Sequence, residues 1–147
     1  MKLWLPLLFC FAVSVQAAQA AEAPDQIDGA MTVNVYQAKR LHDLGAVFID
    51  VRSPEAWRWG HVHGAVHLDL MGRFAGLADP QWPRDVPLVI YCDSDVCPAA
   101  ALASALAVEW GYETVFYFRD GYFSWMLADL PQGKGAHGEV LQLNAGR

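Results

Sequence analysis

The 147-residue sequence has little positive charge and few cysteines. Its 10 lysine and arginine residues are outnumbered by 16 aspartates and glutamates, which gives a formal net charge of −6. An acidic surface repels nucleic-acid phosphates and anionic lipid headgroups. Neither nucleic acid nor a membrane surface is therefore an expected partner. Internal repeats and low-complexity blocks are also lacking.

Long hydrophobic runs are scarce, and the longest one occupies the N-terminus. Lys2 precedes an apolar stretch at residues 3–15, and residues 18–20 (AQA) resemble a signal-peptidase site. The stretch is too short, and too weakly flanked by charge, for a transmembrane helix. Residues 1–20 are therefore predicted to be a signal peptide. We expect a periplasmic or secreted protein with no membrane span after cleavage.

The sequence has three cysteines, of which Cys10 would leave with the signal peptide. Cys92 and Cys97 remain, five positions apart. An even pair in an oxidising compartment can form a disulfide. One of the two can equally be a nucleophile beside a neighbouring thiol. The sequence leaves both interpretations open.

Predicted strands and helices alternate along residues 30–131. The predicted strands lie at 32–33, 46–51, 65–68, 88–91 and 114–118. The predicted helices run from an N-cap at Asn34 through residue 44, from an N-cap at Ser53, over 70–78, from Pro98 and over 122–127. This alternation indicates an α/β fold with a mainly parallel central sheet and helices on both faces. Residues 21–29 are predicted to be a linker, and residues 132–147 a loosely ordered C-terminal tail.

The most informative stretch is residues 88–110, LVIYCDSDVCPAAALASALAVEW. A predicted strand leads into Cys92, a polar loop follows, and Cys97 and Pro98 introduce an alanine-rich helix. Proline suits the first turn of a helix. The N–H groups and positive dipole at a helix N-terminus favour an anion and lower a cysteine pKa. Cys92 is therefore predicted to be an activated thiolate.

Several motifs in the sequence are similar to those of single-domain rhodaneses, the sulfurtransferase family. The matching residues are 48–52 (FIDVR), Glu55, Trp57, 60–65 (GHVHGA), 89–92 (VIYC), Gly111-Tyr112, Val115, Gly121, Trp125 and Pro131. The resemblance covers about residues 30–131. It implies a rhodanese-like α/β fold for most of the mature chain.

The resemblance implies covalent catalysis by Cys92, with no cofactor or metal. The Cys92 thiolate would take sulfane sulfur from a thiosulfate- or persulfide-type donor, forming a persulfide, and pass it to cyanide or to a thiol, either free or carried by a protein. A persulfidated protein is one expected donor. The loop amides would bind the transferred sulfur. The predicted substrate-binding loop consists of Asp93, Ser94, Asp95, Val96 and Cys97.

Two features depart from the family pattern. Arginine often stands five positions after the nucleophile, where this chain has Cys97. Asp93 and Asp95 also bring negative charge to the approach of an anionic donor, which favours a persulfide over dianionic thiosulfate. Asp50 and Arg52 are predicted to support the site through charge-assisted hydrogen bonds.

Cys97 motivates a second hypothesis. It can act as a resolving thiol for a modified Cys92 by forming a disulfide. The chain would then be a dithiol/disulfide redox protein. A third hypothesis, motivated by the acidic loop, is a non-catalytic rhodanese-like module that carries or binds sulfur.

Overall fold

The computed structural model describes residues 22–135. The predicted signal peptide and residues 136–147 of the predicted tail lie outside this range. The elements in chain order are β1 (Ala30–Val33), α1 (Val35–Asp43), β2 (Val47–Asp50), α2 (Pro54–Trp59), β3 (His61–Val62), β4 (Val66–His67), a 3₁₀ helix (Phe74–Ala78), β5 (Leu88–Tyr91), α3 (Ala99–Glu109), β6 (Val115–Phe118), α4 (Gly121–Leu127) and β7 (Gln132–Gly133). None of the helices within residues 22–135 has the length and apolar character needed to cross a bilayer.

The central sheet has five parallel strands in the order β1-β6-β5-β2-β4. Strands β3 and β7 form a separate antiparallel pair. The predicted α/β fold with a mainly parallel sheet is therefore confirmed. In such sheets, sites form beyond the carboxyl ends of the strands. Strand β5 lies between β2 and β6, so the residue that follows β5 emerges at the middle of that edge.

Side chains of β5 alternate between the two faces of the sheet. Leu88 and Ile90 pack in a cluster that contains α3 and the 3₁₀ helix, and Cys92 belongs to the same cluster. Val89 and Tyr91 pack on the opposite face, with side chains from α1, α2 and α4. Because side chains alternate along the strand with a period of two residues, the Cys92 side chain lies on the same face as Ile90 and packs towards α3.

Helix starts follow the predicted capping residues. Asn34 accepts a hydrogen bond from the Gln37 N–H at 3.0 Å, and the Gln37 side chain accepts one from the Asn34 N–H at 2.9 Å. This reciprocal capping box satisfies two N–H groups that have no partner within the helix. Helix α3 begins one residue after Pro98, whose carbonyl accepts a hydrogen bond from the Leu102 N–H at 3.1 Å.

The predicted helix at residues 70–78 is wrong over its first half. The structure has turns there, followed by the 3₁₀ helix Phe74–Ala78. The Asp69 side chain accepts a hydrogen bond from the Met71 N–H, and its carbonyl accepts bonds from the N–H groups of Gly72 and Phe74. Such local bonds compete with a helix, and glycine weakens helices further.

Both ends of the predicted domain extend further than expected. Gln132 and Gly133 lie within the predicted tail, yet they form β7 and pair with β3. The Tyr122 hydroxyl also donates a hydrogen bond to the Gln132 side chain at 2.6 Å. In the predicted linker, Ala23 is buried against the fold. Tertiary contacts order these segments, and local sequence patterns do not reveal such contacts.

The capping box predicts a measurable contribution to stability. Asn34→Ala removes the acceptor for the Gln37 N–H and should lower the free energy of unfolding by about 1 kcal/mol. Urea unfolding of both proteins tests this value. Asn34→Asp is the matched control because it keeps an acceptor, and it should stay close to the wild type. Equal losses in both variants would contradict a capping role.

Candidate active site

Cys92 follows β5 at the carboxyl edge of the sheet and is only 4% exposed. It forms a disulfide with Cys97, with 6.2 Å between the two Cα atoms. The structure thus brings together both cysteines predicted for the site and describes their oxidised form. Pro98 and α3 follow directly, so the two sulfur atoms lie close to the start of that helix.

The loop after Cys92 rests on the first turn of α4. The Tyr122 N–H donates to the Cys92 carbonyl at 2.8 Å, and the Phe123 N–H donates to the Asp93 carbonyl at 2.9 Å. Gly121 makes this approach possible. It has a φ of +64°, and a Cβ atom there would lie 2.5 Å from the Cys92 carbonyl oxygen. Only glycine fits this conformation and spacing without strain.

Arg52 is the buried cation of the site, with a side chain 1% exposed. It donates to both carboxylate oxygens of Asp50, to the Gly60 carbonyl at 2.6 Å and to Asp93 at 3.1 Å. Its guanidinium also lies 4.4 Å from the centre of the Tyr122 ring. Burial opposes the charge, but the Asp50 carboxylate outweighs burial and raises the Arg52 pKa above its ordinary value. The predicted support residues thus contact the first residue of the loop.

The two loop carboxylates each lie near a guanidinium. Asp93 pairs with Arg52 at 3.1 Å, and Asp95 lies 3.9 Å from Arg119. The sequence-based expectation of two uncompensated negative charges therefore does not describe this loop. Arg52 and Arg119 both follow strands of the sheet, β2 and β6. Parallel strands bring such residues to one edge.

An N-terminal strap, defined here as residues 22–25, lies against the same loop. The Ala23 N–H donates to the Asp95 carbonyl at 2.7 Å. The Arg119 guanidinium donates to the Ala23 carbonyl at 3.0 and 3.2 Å and to the Glu22 carboxylate at 3.1 Å. It also lies 3.2 Å from Asp25. The sequence analysis missed Arg119, although its position directly after a predicted strand marks this edge.

Loop amides remain available for a ligand. In the part of the chain that the structure describes, the N–H groups of residues 93–96 donate no hydrogen bond to a backbone or side-chain acceptor. The next amide, that of Cys97, donates to the Ser94 carbonyl. Successive free N–H groups form an anion-binding concavity. Ser94 and Val96 contribute their backbone N–H groups to this concavity, and the Val96 side chain is half exposed.

A groove of about 480 Å³ opens beside Cys92 and Cys97. The other lining residues are Val51, Arg52, Ser53, Ala56, Asp69, Leu70, Met71, Asp93, Pro98, Ala99 and Leu102. The sequence analysis did not assign Asp69, Met71 or Leu102 to the site. Asp69 lies just beyond β4, so its strand-end position was an available signal. Nothing local in the sequence distinguishes Leu102 from the other apolar residues of α3.

Three histidines, at positions 61, 63 and 67, lie close together in the sequence, and histidine is a common metal ligand. Trp57 stacks on His61 at 3.4 Å and on His67 at 4.9 Å. One ring nitrogen of His61 lies 3.0 Å from the Trp57 carbonyl, and one of His67 lies 2.9 Å from the Arg52 carbonyl. Within residues 22–135 these histidines do not join a group of three or more histidine, cysteine, aspartate or glutamate ligand atoms. Burial lowers the pKa of His61 below 6.5, so this buried ring favours the neutral form.

One group of candidate metal ligands does meet within the described residues. Single ligand atoms of Cys92, Asp93 and Cys97 all lie within 4.8 Å of one another. Metal binding by cysteine requires the thiolate. In the disulfide form the two sulfur atoms are bonded to each other and are not thiolates. The oxidised site described here therefore does not offer such a ligand set.

The fold and the cysteine-centred strand-end site are those of a rhodanese-like α/β domain. Residues 34–128 match the family described as "Rhodanese-like domain", so the chain belongs to the rhodanese-like family. It is 32% identical over 97 residues to the thiosulfate sulfurtransferase GlpE of Haemophilus influenzae, covering 65% of this chain and 87% of that protein. The family predicted from sequence is confirmed.

Two further comparisons concern a longer relative and a solved structure. An HTH-type transcriptional regulator of Mycobacterium tuberculosis is 31% identical over 131 residues, which is 86% of this chain but only 54% of the regulator's length. This chain thus spans about half of that relative. The solution structure of a polysulfide-sulfur transferase homodimer from Wolinella succinogenes has a TM-score of 0.60 at 22% identity. That match covers 78% of this chain and 86% of the neighbour, and it supports the fold.

The buried His61 predicts a pH dependence of stability. In the unfolded chain it takes up a proton as the pH falls through about 6.5, whereas in the folded state burial delays this protonation to lower pH. The unfolded state therefore binds more protons in that window, and the free energy of unfolding should decrease as the pH falls below about 6.5.

Urea unfolding at several pH values between about 7.5 and about 5 tests this dependence, because this interval spans the ordinary histidine pKa. His61→Gln should weaken the decrease because residue 61 no longer titrates. His63→Gln is the control, since the His63 side chain is exposed, and it should keep the wild-type slope. An unchanged slope in His61→Gln would assign the effect to other groups.

The strap predicts a local role for Arg119. Arg119→Gln removes most of the bonds to Ala23 and Glu22, so the Ala23 amide should exchange with solvent several-fold faster. Global stability should change little, because the acidic partners of Arg119 are exposed and such ion pairs contribute weakly. Hydrogen exchange followed by NMR measures both effects. Arg84→Gln is the matched control, because Arg84 binds carbonyls of another loop. Wild-type exchange at Ala23 in Arg119→Gln would refute the role.

Proposed function

We propose that this protein is a sulfurtransferase that carries sulfane sulfur on Cys92. The observation that carries the proposal is the position of Cys92, at the carboxyl end of the central strand and beside a loop with free N–H groups. Such groups stabilise negative charge on a bound sulfur atom. The relative from H. influenzae is named a thiosulfate sulfurtransferase, which supports the same reaction class.

The reaction requires the reduced form of the site. A thiol first reduces the Cys92–Cys97 disulfide and is itself oxidised. The Cys92 thiolate then attacks the outer sulfur of the donor. The sulfur–sulfur bond of the donor breaks, its electron pair leaves with the donor's remaining fragment, and a Cys92 persulfide forms. An acceptor thiolate or cyanide attacks the outer persulfide sulfur and releases the Cys92 thiolate.

The surrounding residues position this chemistry. Arg52 holds Asp93 and the start of the loop in place, while Asp50 and the Gly60 carbonyl keep the guanidinium fixed. Tyr122 and Phe123 hold the first two carbonyls of the loop through their N–H groups. These hydrogen bonds occupy the carbonyls of Cys92 and Asp93. The amides of residues 93–96 are thereby left to bind the terminal sulfur.

Thiosulfate, a polysulfide and a persulfide are all donors of sulfane sulfur. The named relatives act on the first two by their descriptions. For this chain we propose a persulfide as the donor, free or carried by a protein, and a thiol as the acceptor. The loop has no arginine at position 97, and the guanidinium groups of Arg52 and Arg119 are already paired with the loop carboxylates. Among the residues that the structure describes at this loop, this arrangement leaves no free cation for a dianionic donor.

A second candidate function is dithiol/disulfide exchange. The bond between Cys92 and Cys97 favours it directly, because the two thiols can meet without rearrangement of the fold. Oxidation of the dithiol would deliver two electrons and two protons to an external disulfide. In a sulfurtransferase, the same bond would close the site until a thiol reduces it.

We also propose that the protein acts in the periplasm or outside the cell. The N-terminal pattern of residues 1–20 supports export, and a disulfide persists in oxidising compartments. Cell fractionation with an antibody to the chain tests the location. A product retained in the cytoplasm at its full length would contradict export.

Cysteine variants separate the two functions. Cys92→Ser should abolish sulfur transfer and retain the fold, because the nucleophile is lost. Cys97→Ser should keep sulfur transfer and abolish disulfide exchange. Each reduced protein is exposed to thiosulfate or to a persulfide and then analysed by intact and peptide mass spectrometry. One added sulfur atom on the Cys92 peptide, in both wild type and Cys97→Ser, supports the sulfurtransferase.

Other outcomes have distinct meanings. Loss of transfer in Cys97→Ser, with ready thiol–disulfide exchange in the wild type, would favour the redox function. A Cys92 persulfide that forms but passes to no acceptor would indicate a sulfur-carrying module without turnover. Full transfer by Cys92→Ser would exclude Cys92 as the nucleophile.

A further inference from the structure

The groove beside Cys92 has two walls of exposed apolar side chains. Leu102 on α3 is 55% exposed, and Met71, in the segment after β4, is 91% exposed. We propose that this groove selects sulfur donors with a small apolar organic group, and that Leu102 and Met71 determine this specificity. The inference deepens the proposed function, since it rests on sulfur transfer at Cys92.

The size of the groove supports an organic donor. Its volume of about 480 Å³ lies in the range of roughly 300–1,000 Å³ that is typical of small-molecule sites. A compact inorganic anion leaves most of such a volume filled with water. A donor with an alkyl or aromatic group can place its sulfur at Cys92 and extend its apolar part along the groove.

The charges in the groove disfavour a dianion. Arg52 is the cation among the groove-lining residues, and its hydrogen bonds go to Asp50, Gly60 and Asp93. Its side chain is 1% exposed. Asp93 already pairs with Arg52, and Asp69 adds a further carboxylate to the lining. A dianionic donor would therefore find no available guanidinium in the described lining and would meet the Asp69 carboxylate, whereas a monoanion needs only the loop amides for its charged sulfur.

The apolar walls are built by the fold. Pro98, Ala99 and Leu102 all line the groove. Leu102 lies four residues after Pro98 and three after Ala99, which places it on the same side of the start of α3 as both. Met71 lies on the segment that Asp69 holds in a turn. An apolar donor group between these walls would remove exposed hydrocarbon from water, which is favourable. Water already solvates thiosulfate well, so thiosulfate gains little here.

Three donors separate the contributions of charge and apolar surface. Thiosulfate is a dianion, methanethiosulfonate is a small monoanion, and benzenethiosulfonate is a monoanion with an aromatic ring. Each gives its outer sulfur to the Cys92 thiolate, forms the Cys92 persulfide and leaves with the electron pair of the broken bond, as sulfite or as a sulfinate. The rate of persulfide formation is measured by mass spectrometry on the reduced protein.

The proposal predicts the order benzenethiosulfonate, methanethiosulfonate, thiosulfate in the second-order rate constant of persulfide formation for the wild type. Leu102→Lys should lower the ratio of benzenethiosulfonate to thiosulfate by about tenfold or more, the size expected for altering an apolar pocket. Met71→Lys should act in the same direction. Leu44→Lys is the matched control, because Leu44 is 81% exposed and precedes β2 at the opposite edge of the sheet. Its ratio should equal that of the wild type.

Binding gives a second readout that does not depend on chemistry. Benzenesulfinate, the leaving group, should bind Cys92→Ser more tightly than sulfite does, and Leu102→Lys in that background should remove the difference.

A wild type that prefers thiosulfate, or an unchanged donor ratio in Leu102→Lys, would overturn the groove's role while sulfur transfer stands. Sulfur loading only from a protein persulfide would overturn it in favour of a protein donor. No sulfur loading of Cys92 from any donor would refute the proposed function. Equal binding of benzenesulfinate and sulfite to Cys92→Ser would separately refute the selectivity of the groove.

Discussion

The structure of the site depends on one buried guanidinium. Arg52 lies in a nearly solvent-free position, where an unpaired charge would be very costly. Asp50 neutralises it, and the Gly60 carbonyl and Asp93 accept its remaining contacts. These partners come from the end of β2, the end of α2 and the loop after β5. The requirement to satisfy one cation therefore couples three segments that are distant in sequence.

The same edge of the sheet governs the chemistry. Alternation along β5 turns Cys92 towards α3, and the short loop returns Cys97 to within disulfide distance. The close approach at Gly121 allows the N–H groups of Tyr122 and Phe123 to bind the carbonyls of Cys92 and Asp93. The candidate nucleophile, the second thiol and the loop amides are thus brought together by one strand–loop–helix arrangement. A groove with exposed apolar side chains lies beside them.

Much of the fold was predictable because its signals are local. The buried run at residues 88–91, the Asn34 cap and the proline before α3 each act through neighbouring residues, and the structure confirms them. The predicted helix at 70–78 was wrong because Asp69 and the glycines favour turns. The pairing of β7 with β3 was missed because it joins residues about seventy positions apart, and a two-residue strand has no periodicity of its own.

The sequence by itself determined the order of strands and helices, the family and the identity of the candidate nucleophile, because periodicity, caps and ordered motifs are properties of nearby residues. Only the tertiary structure decided which charges meet. It pairs Asp93 with Arg52, places Asp95 near Arg119 and brings Leu102 and Met71 to the lining of one groove. Parallel strand ends gather residues from the whole chain at one edge, and no local pattern states which of them will be in contact.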